Sequence, residues 1–459
     1  MSQPTRQLFG TDGIRGVAGE FPLSYESTFA IGRALGHDLL RANNCPSVVV
    51  GQDTRESSGW IADRVTQGLA SLGVKVESAG VITTPGVAYL ARSRKRAAGV
   101  VVSASHNPWT DNGIKVFSSD GYKLPDAREL AIEQEIFSLL QNPAPDASLD
   151  VKTPPPSLPG DADLREAYIH WLAKSMSTDL SGMRVLVDCA NGAATAEAPG
   201  LFRACGIKAE LVHSRPDGKN INEKCGALYP TTVAGMIVAR HGEFDLGITF
   251  DGDADRALFS DAEGNVVNGD AVLLVAGRDM QSRGSLVGNT VVATTMSNMG
   301  LEVALKRAGI HMLRANVGDK YVLEEMLKTG ATLGGEQSGH ILFRDGDATT
   351  GDGLMTALRL MEIMARSGKN LASLVSDLKV FPQTIQNVRV REKIPLAQVP
   401  EILRVIQKAE GALNGNGRIV VRYSGTESLA RVMVEAESEE KMNAWASAIA
   451  GAIRDKLGA

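Results

Sequence analysis

The same order of elements recurs three times along this chain, and that repetition limits its fold more than any single motif does. In the first unit a helix is predicted from about Ser27 to Arg41, then a strand at Ser47–Gly51 (S-V-V-V-G). The next helix puts Ile61, Val65, Leu69 and Leu72 on one stripe and stops at Gly73, with strands at Val74–Val76 and Gly99–Ser103. The second unit reads as a strand at Arg184–Asp188, the Asn191-Gly192 turn, a helix ending near Gly206 and a strand at Ile207–Val212. A helix at Thr232–Arg240 and a strand at Asp245–Phe250 complete it. The third has a strand at Thr290–Thr294, a helix at Met299–Ala308, a strand at Ile310–Leu313 and a segment Asp319–Lys328. Three α/β units of about a hundred residues each thus deliver an unusual polar loop after a late strand. Ligands of open α/β sheets bind beyond the carboxyl ends of strands, so the three loops are expected to meet at one site.

Between the first two units, Gln141 to Gly160 carries six prolines in twenty residues. Neither a helix nor a central strand accommodates that density, so an extended surface linker is predicted. The last segment changes pattern: strands at Val388–Arg391, Ile419–Tyr423 and Ala430–Glu437 with two helices read as a small α+β domain. The expected domains are 1–158, 159–258, 259–372 and 373–459, in keeping with a length of 459 residues. A net charge of -5 weighs against a general nucleic-acid binder, so working basic residues should be local and face a small anion. Cys45, Cys189, Cys205 and Cys225 form no C-x-x-C pair, which fits a reducing cytoplasm better than a disulfide framework. The N-terminus lacks the apolar core of a signal peptide and no eighteen apolar residues run together, so no membrane segment is expected.

The first loop lies in V-V-V-S-A-S-H-N-P-W-T-D-N-G-I-K, Val100 to Lys115. Asn107-Pro108 and Asn112-Gly113 are turn signals that place Ser105 on a tight loop after a buried strand. Standing alone, such a serine more often closes a turn with its own backbone. In the second loop, D-G-D-A-D-R, three carboxylates alternate at Asp251, Asp253 and Asp255. Three acids after an apolar strand repel one another unless a hard divalent cation neutralises them. An EF-hand is rejected, because its sixth position is Arg256 instead of Gly and its twelfth is Ala262 instead of Glu. The third loop, G-G-E-Q-S-G-H, carries Glu336, Ser338 and His340, suited to holding sugar hydroxyls. In the last domain R-Y-S-G-T-E offers a guanidinium, two hydroxyls and backbone N–H groups, all donors for a phosphate dianion. Near the N-terminus F-G-T-D-G-I-R-G holds three glycines and Arg15, a pattern of closely approached backbone.

Taken in order, F-G-T-D-G-I-R-G, S-A-S-H-N-P with D-N-G-I-K, D-G-D-A-D-R, V-G-D-K-Y-V, G-G-E-Q-S-G-H and S-G-T-E resemble the α-D-phosphohexomutase superfamily over essentially the whole chain. The resemblance implies three related α/β domains with mixed sheets plus a smaller C-terminal α+β domain around a central cleft. Carried over, Ser105 is the phosphorylated serine and, with Asp251, Asp253 and Asp255, holds Mg²⁺. Lys115 and Arg15 match basic residues near the phosphoryl group, and His340 a histidine placed for proton transfer. Glu336 and Ser338 would hold sugar hydroxyls, with Arg256 a further substrate contact, and Arg422, Ser424, Gly425 and Thr426 the phosphate not being transferred. The implied substrate is a small sugar phosphate, glucosamine 6-phosphate ahead of the glucose and mannose analogues, primed by glucosamine or glucose 1,6-bisphosphate. A homodimer is compatible with the resemblance. Tyr423 and Ser428 stand where the family usually has proline, which puts loop stiffness in question more than chemistry. An aspartate-nucleophile phosphatase, with Asp251 carrying the phosphate, and a non-catalytic sugar-phosphate sensor are the rival classes.

Overall fold

Short β-branched runs such as Val48–Val50 and Val100–Val102 carry no polar side chain, and in the computed structural model both are buried strand segments. Residues 7–10, 12–142, 159–344, 346, 348–423 and 428–458 are described. The predicted linker falls mostly on 143–158, outside the described residues. The first sheet contains β1 (Phe9–Gly10), β2 (Gly13–Val17), β3 (Ser47–Gln52), β4 (Lys75–Val81), β5 (Ala98–Val102) and β6 (Asp111–Ser118), in the order β1-β2-β6-β5-β3-β4. The second contains β7 (Arg184–Asp188), β8 (Lys208–Val212), β9 (Leu246–Phe250), β10 (Ala257–Ser260) and β11 (Val266–Val267), in the order β11-β10-β9-β7-β8. The third contains β12 (Thr290–Thr294), β13 (His311–Ala315), β14 (Leu333–Gly335) and β15 (Ile341–Phe343), in the order β13-β12-β14-β15.

One device recurs in all three. A strand parallel to its inner neighbour (β5, β9, β14) turns back into an antiparallel partner (β6, β10, β15). Each polar loop is therefore the turn of a mixed-sheet hairpin. All six strands of these hairpins are mostly or wholly buried, so the turns are anchored at both ends.

Two expectations change here. Asn112-Gly113 is not a turn but the second and third residues of β6. Asn112 is buried and donates to the Ser57 and Ser58 hydroxyls at 2.8 and 3.0 Å, while a Cβ on Gly113 would meet the Ser103 carbonyl oxygen at 2.6 Å. The glycine there serves close strand packing. The helix Glu56–Ala70 ends before Leu72 and Gly73, although Ile61, Val65 and Leu69 are buried as the stripe predicts.

The chain forms two compact units, Met1–Met296 with Leu313–Val375 and Ser297–Met312 with Ser376–Ala459. The second unit has an antiparallel sheet of β16 (Gln383–Arg389), β17 (Gly417–Tyr423) and β18 (Leu429–Ala436), in the order β16-β18-β17, with helices Pro400–Leu413 and Glu439–Leu457. The helix Met299–Arg307 also belongs to this unit. Asn298 Nδ2 donates to the Phe381 carbonyl at 3.0 Å, and Met299 N–H donates to Glu435 at 2.9 Å. Among the described residues no helix is long and apolar enough to cross a membrane.

Candidate active site

Ser105 ends the run after β5 with a left-handed backbone, φ 52°. That conformation costs about 1–3 kcal/mol for a side-chain-bearing residue and persists only where surroundings enforce it. Here they do. The Ser105 N–H donates to Ser103 Oγ at 3.0 Å, and Ser103 Oγ donates to Asp53 at 2.6 Å. Asp53 is ion-paired with buried Arg55, whose Nη2 donates to the carbonyls of Ser105 and Asn107 at 3.0 and 2.7 Å. Asn222, from the second repeat, donates to the same two carbonyls at 2.9 and 3.1 Å. Above this scaffold the Ser105 hydroxyl donates to Asp251 Oδ2 at 2.5 Å.

The β9–β10 turn lies directly against that loop, since a Cβ on Gly252 would stand 2.4 Å from the Ser105 carbonyl oxygen. Carboxylate oxygens of Asp251, Asp253 and Asp255 come within 4.8 Å of one another, all buried. Lys115, on β6 and 1% exposed, reaches into the cluster, 2.8 Å from Asp253, 2.9 Å from Asp12 and 3.4 Å from Asp255. Burial alone would lower the lysine; the three carboxylates instead hold it well above its ordinary value, so it stays charged. The acids divide unequally. Burial, with Asp255 and Asp253 beside it, pushes Asp251 well above the usual carboxylate range, whereas Asp255 is driven down against its burial by Lys115 and His340. Asp253 Oδ1 and Asp255 Oδ1 are buried without a hydrogen-bond partner.

His340, at the end of the β14–β15 turn, is buried with Nδ1 3.7 Å from Asp255 and Nε2 3.7 Å from Asp319. Burial would lower it, but Asp255 and then Asp319 raise it above its ordinary value. Glu336 accepts from the Gly318 N–H at 3.0 Å. A cavity of about 340 Å³ opens here, lined by Arg15, His106, Asp255, Arg256, Glu336 and His340 among others. Ser105, Lys115, Asp251 and Asp253 are buried and do not line it.

Three expected loops and Arg15 therefore come together, but not every expected residue does. Ser338 is exposed and absent from the cavity lining. Arg422 is exposed on β17 in the second unit, and Ser424, Gly425 and Thr426 lie outside the described residues. Tyr423, which stands where the family usually has proline, packs on the core of that unit and donates to the Ile394 carbonyl at 2.5 Å. Residues the sequence reading passed over include Asp12, Lys123 and Asp319. Lys123 pairs with both acids, and Asp12 also holds Arg15. Asp12 and Asp319 stand inside quoted motifs without an assigned task; Lys123 carries no local signal.

Models of the phosphoglucomutase/phosphomannomutase family match the chain in order: α/β/α domain I over residues 6–142, domain II over 166–264, domain III over 268–381 and the C-terminal domain over 386–452. The phosphoglucosamine mutase of Koribacter versatilis (strain Ellin345) is 61% identical over 459 residues, covering 100% of this chain and 99% of its own. That of Solibacter usitatus (strain Ellin6076) is 51% identical over 453 residues, covering 99% of each. Among solved structures, a phosphoglucomutase/phosphomannomutase family protein from Burkholderia thailandensis superposes with a TM-score of 0.77 at 23% identity, covering 97% of both chains. An Aspergillus fumigatus N-acetylphosphoglucosamine mutase in complex with GlcNAc-6P and magnesium gives 0.61 at 19% identity, covering 98% of this chain and 96% of that one. With its four domains matched in order and relatives this similar along its full length, the chain is a mutase of the phosphoglucomutase/phosphomannomutase family.

Proposed function

We propose that the protein interconverts glucosamine 6-phosphate and glucosamine 1-phosphate through a phosphoserine at Ser105 and a 1,6-bisphosphate, supplying UDP-N-acetylglucosamine for cell-wall precursors. The observation that carries this reading is the Ser105 hydroxyl held 2.5 Å from Asp251 beside two further aspartates and a buried lysine. The choice of glucosamine over glucose or mannose rests on relatives 61% and 51% identical that are named phosphoglucosamine mutase.

The donor set fits Mg²⁺: hard carboxylate oxygens only, two of them buried and unpartnered. Asp251, Asp253, Asp255 and an oxygen on Ser105 would hold Mg²⁺, which would supply Lewis-acid stabilisation of the phosphoryl charge. The chain's own groups do the rest. Lys115 and Arg15 add positive charge where the phosphoryl oxygens gather, in a buried setting where such charges act strongly. As the bond from phosphorus to Ser105 Oγ breaks, one forms to the sugar hydroxyl, whose proton needs an acceptor. His340 Nε2 has no hydrogen-bond partner, and Asp255 and Asp319 favour the imidazolium that results. Glu336, oriented by Gly318, accepts from sugar hydroxyls, and Arg256 beside it grips the substrate. The bisphosphate then reverses so that its other phosphate returns to Ser105. An Asp251 nucleophile is disfavoured, because that carboxylate is engaged by the Ser105 hydroxyl at 2.5 Å.

A phosphorus NMR time course with glucosamine, glucose and mannose 6-phosphates tests the substrate. Glucosamine 6-phosphate should turn over fastest, and faster conversion of mannose 6-phosphate would overturn the assignment. Phosphate mapped to Ser105, and turnover lost in Ser105→Ala, test the intermediate; phosphate mapped to Asp251 would contradict it.

A further inference from the structure

A second group of metal-ligating side chains lies in the second repeat, outside the acidic triad. Asp188 is the last residue of β7, His213 follows the last residue of β8, and Cys225 precedes the turn Gly226–Leu228. A carboxylate oxygen, a ring nitrogen and Sγ of these three come within 4.8 Å of one another. We propose that Asp188, His213 and Cys225 form a binding site for a zinc-like divalent ion, which fastens the loop that carries Asn222.

Thiolate, imidazole and carboxylate together suit a borderline-soft ion such as Zn²⁺ and not Mg²⁺, which separates this site chemically from the all-oxygen triad. Asp188 and Cys225 are fully buried while the His213 side chain is 28% exposed, so an ion with three protein ligands keeps one side open to water. The carboxylate is oriented from behind, accepting the Ala190 and Gly226 N–H groups at 2.8 and 2.9 Å. Five non-glycine residues around the ligands, Ala190, Asn191, His213, Asn222 and Lys224, have left-handed φ values of 53°, 48°, 43°, 59° and 52°. Strain of that kind marks a shape held for a purpose.

A plain His213–Asp188 pair accounts for less. His213 Nδ1 is 3.1 Å from Asp188 Oδ2, and that pair leaves Cys225 with a 4.0 Å contact from Asn191 Nδ2. A nucleophilic cysteine fits no better, since burial pushes the thiol up to about 12. The consequence for the phosphoserine loop follows from the chain. Asn222 is three residues from Cys225, its N–H donates to the Ala190 carbonyl at 2.9 Å, and its side chain holds the Ser105 and Asn107 carbonyls. An ion joining Cys225 to Asp188 and His213 would tie down both sides of that support. Binding displaces the thiol proton to solvent as the metal–sulfur bond forms.

The test uses the full chain, freed of metal with a chelator, then given excess Mg²⁺ to fill the acidic triad and titrated with Cd²⁺. A thiolate-to-cadmium ultraviolet absorption should rise to one equivalent with release of protons. It should vanish in Cys225→Ser and Cys225→Ala, and persist in Cys45→Ser, which removes the exposed thiol. His213→Ala should weaken binding by at least the roughly 10- to 100-fold that losing even an outer-shell partner costs. No charge-transfer band in the wild type, or a band that survives replacement of Cys225, overturns the proposal, and the wild-type titration decides even if a variant folds poorly.

Discussion

The Ser105 carbonyl is held by donors from two different repeats, Arg55 and Asn222, so the position of the proposed phosphoserine depends on residues outside the acidic triad. Asn222→Ala removes one of these donors and leaves buried acceptors less well satisfied, at a cost of about 1–3 kcal/mol. Because the loss misplaces the hydroxyl and not the sugar, kcat should fall more than KM rises; a raised KM with kcat unchanged would show that Asn222 binds substrate instead. A second residue-scale prediction concerns Asp352, which caps the helix Gly353–Ser367 by accepting the Met355 N–H at 2.9 Å and also accepts the Tyr168 hydroxyl at 2.7 Å. Burial raises it from 3.8 to about 6. A carboxyl raised in the folded state holds its proton longer there than in the unfolded chain, so its contribution is fully present below pH 3.8 and is lost as pH rises through about 6. Asp352→Asn keeps the cap and should flatten the pH dependence of unfolding across that window, by on the order of 2–3 kcal/mol. Denaturant unfolding at several pH values checks it, and an unchanged slope would refute it. The site was legible where one short stretch carries several chemical groups, as in D-G-D-A-D-R. Asp12, Lys123, Arg55 and Asn222 were not, because each gains meaning only from a partner brought close by folding: Lys123 and Asp319 are 196 positions apart in the chain.

At the level of elements, the buried hairpin explains both what could be read and what could not. The strands and helices that apolar periodicity named lie within a few residues of the observed ones, but the helices Thr84–Ser93, Asp126–Gln141, Gly269–Ser282 and Gly353–Ser367 were not among them. The returning strands β6, β10 and β15 were missed. β10 and β15 are short, with 4 and 3 residues, and in β6 Asn112-Gly113 near its start carries the composition of a turn while packing as a strand. Gly113→Ala tests this packing. The added methyl has the Ser103 carbonyl oxygen at 2.6 Å and the Ile14 carbonyl oxygen at 3.0 Å, both backbone atoms that cannot swing aside. Overpacking of this kind costs about 1–3 kcal/mol. A lower denaturation midpoint and less phosphate on Ser105 are expected, and wild-type values for both would mean the hairpin has slack.

For the whole molecule, the division into two compact units cuts across sequence order: Ser297–Met312 leaves the third repeat and joins the C-terminal domain. Nothing in the periodicity of Met299–Arg307 tells which unit its first turn is tied to; the partners of Asn298 and of the Met299 N–H, Phe381 and Glu435, lie far along the chain. The resemblance to the phosphohexomutases implies that Arg422 grips the phosphate that is not transferred, and such a contact would be made alike in ground and transition states. Arg422→Ala should therefore raise KM by roughly ten- to hundredfold, the loss of a charge-assisted contact of about 1.5–3 kcal/mol, with a smaller effect on kcat. Steady-state kinetics with added 1,6-bisphosphate decide it: a collapse of kcat at constant KM would place the arginine in the chemical step. The support of Ser105 by residues of separate repeats has one more consequence, for the newly made chain. The first repeat emerges from the ribosome with its serine but without Asp251 or Asn222, and neither arrives until the second repeat has been synthesised and docked. A chain stalled before that point has a hydroxyl with no carboxylate to meet it and no second grip on its backbone. On the function proposed above, Ser105 can take up its phosphate only once both repeats have docked.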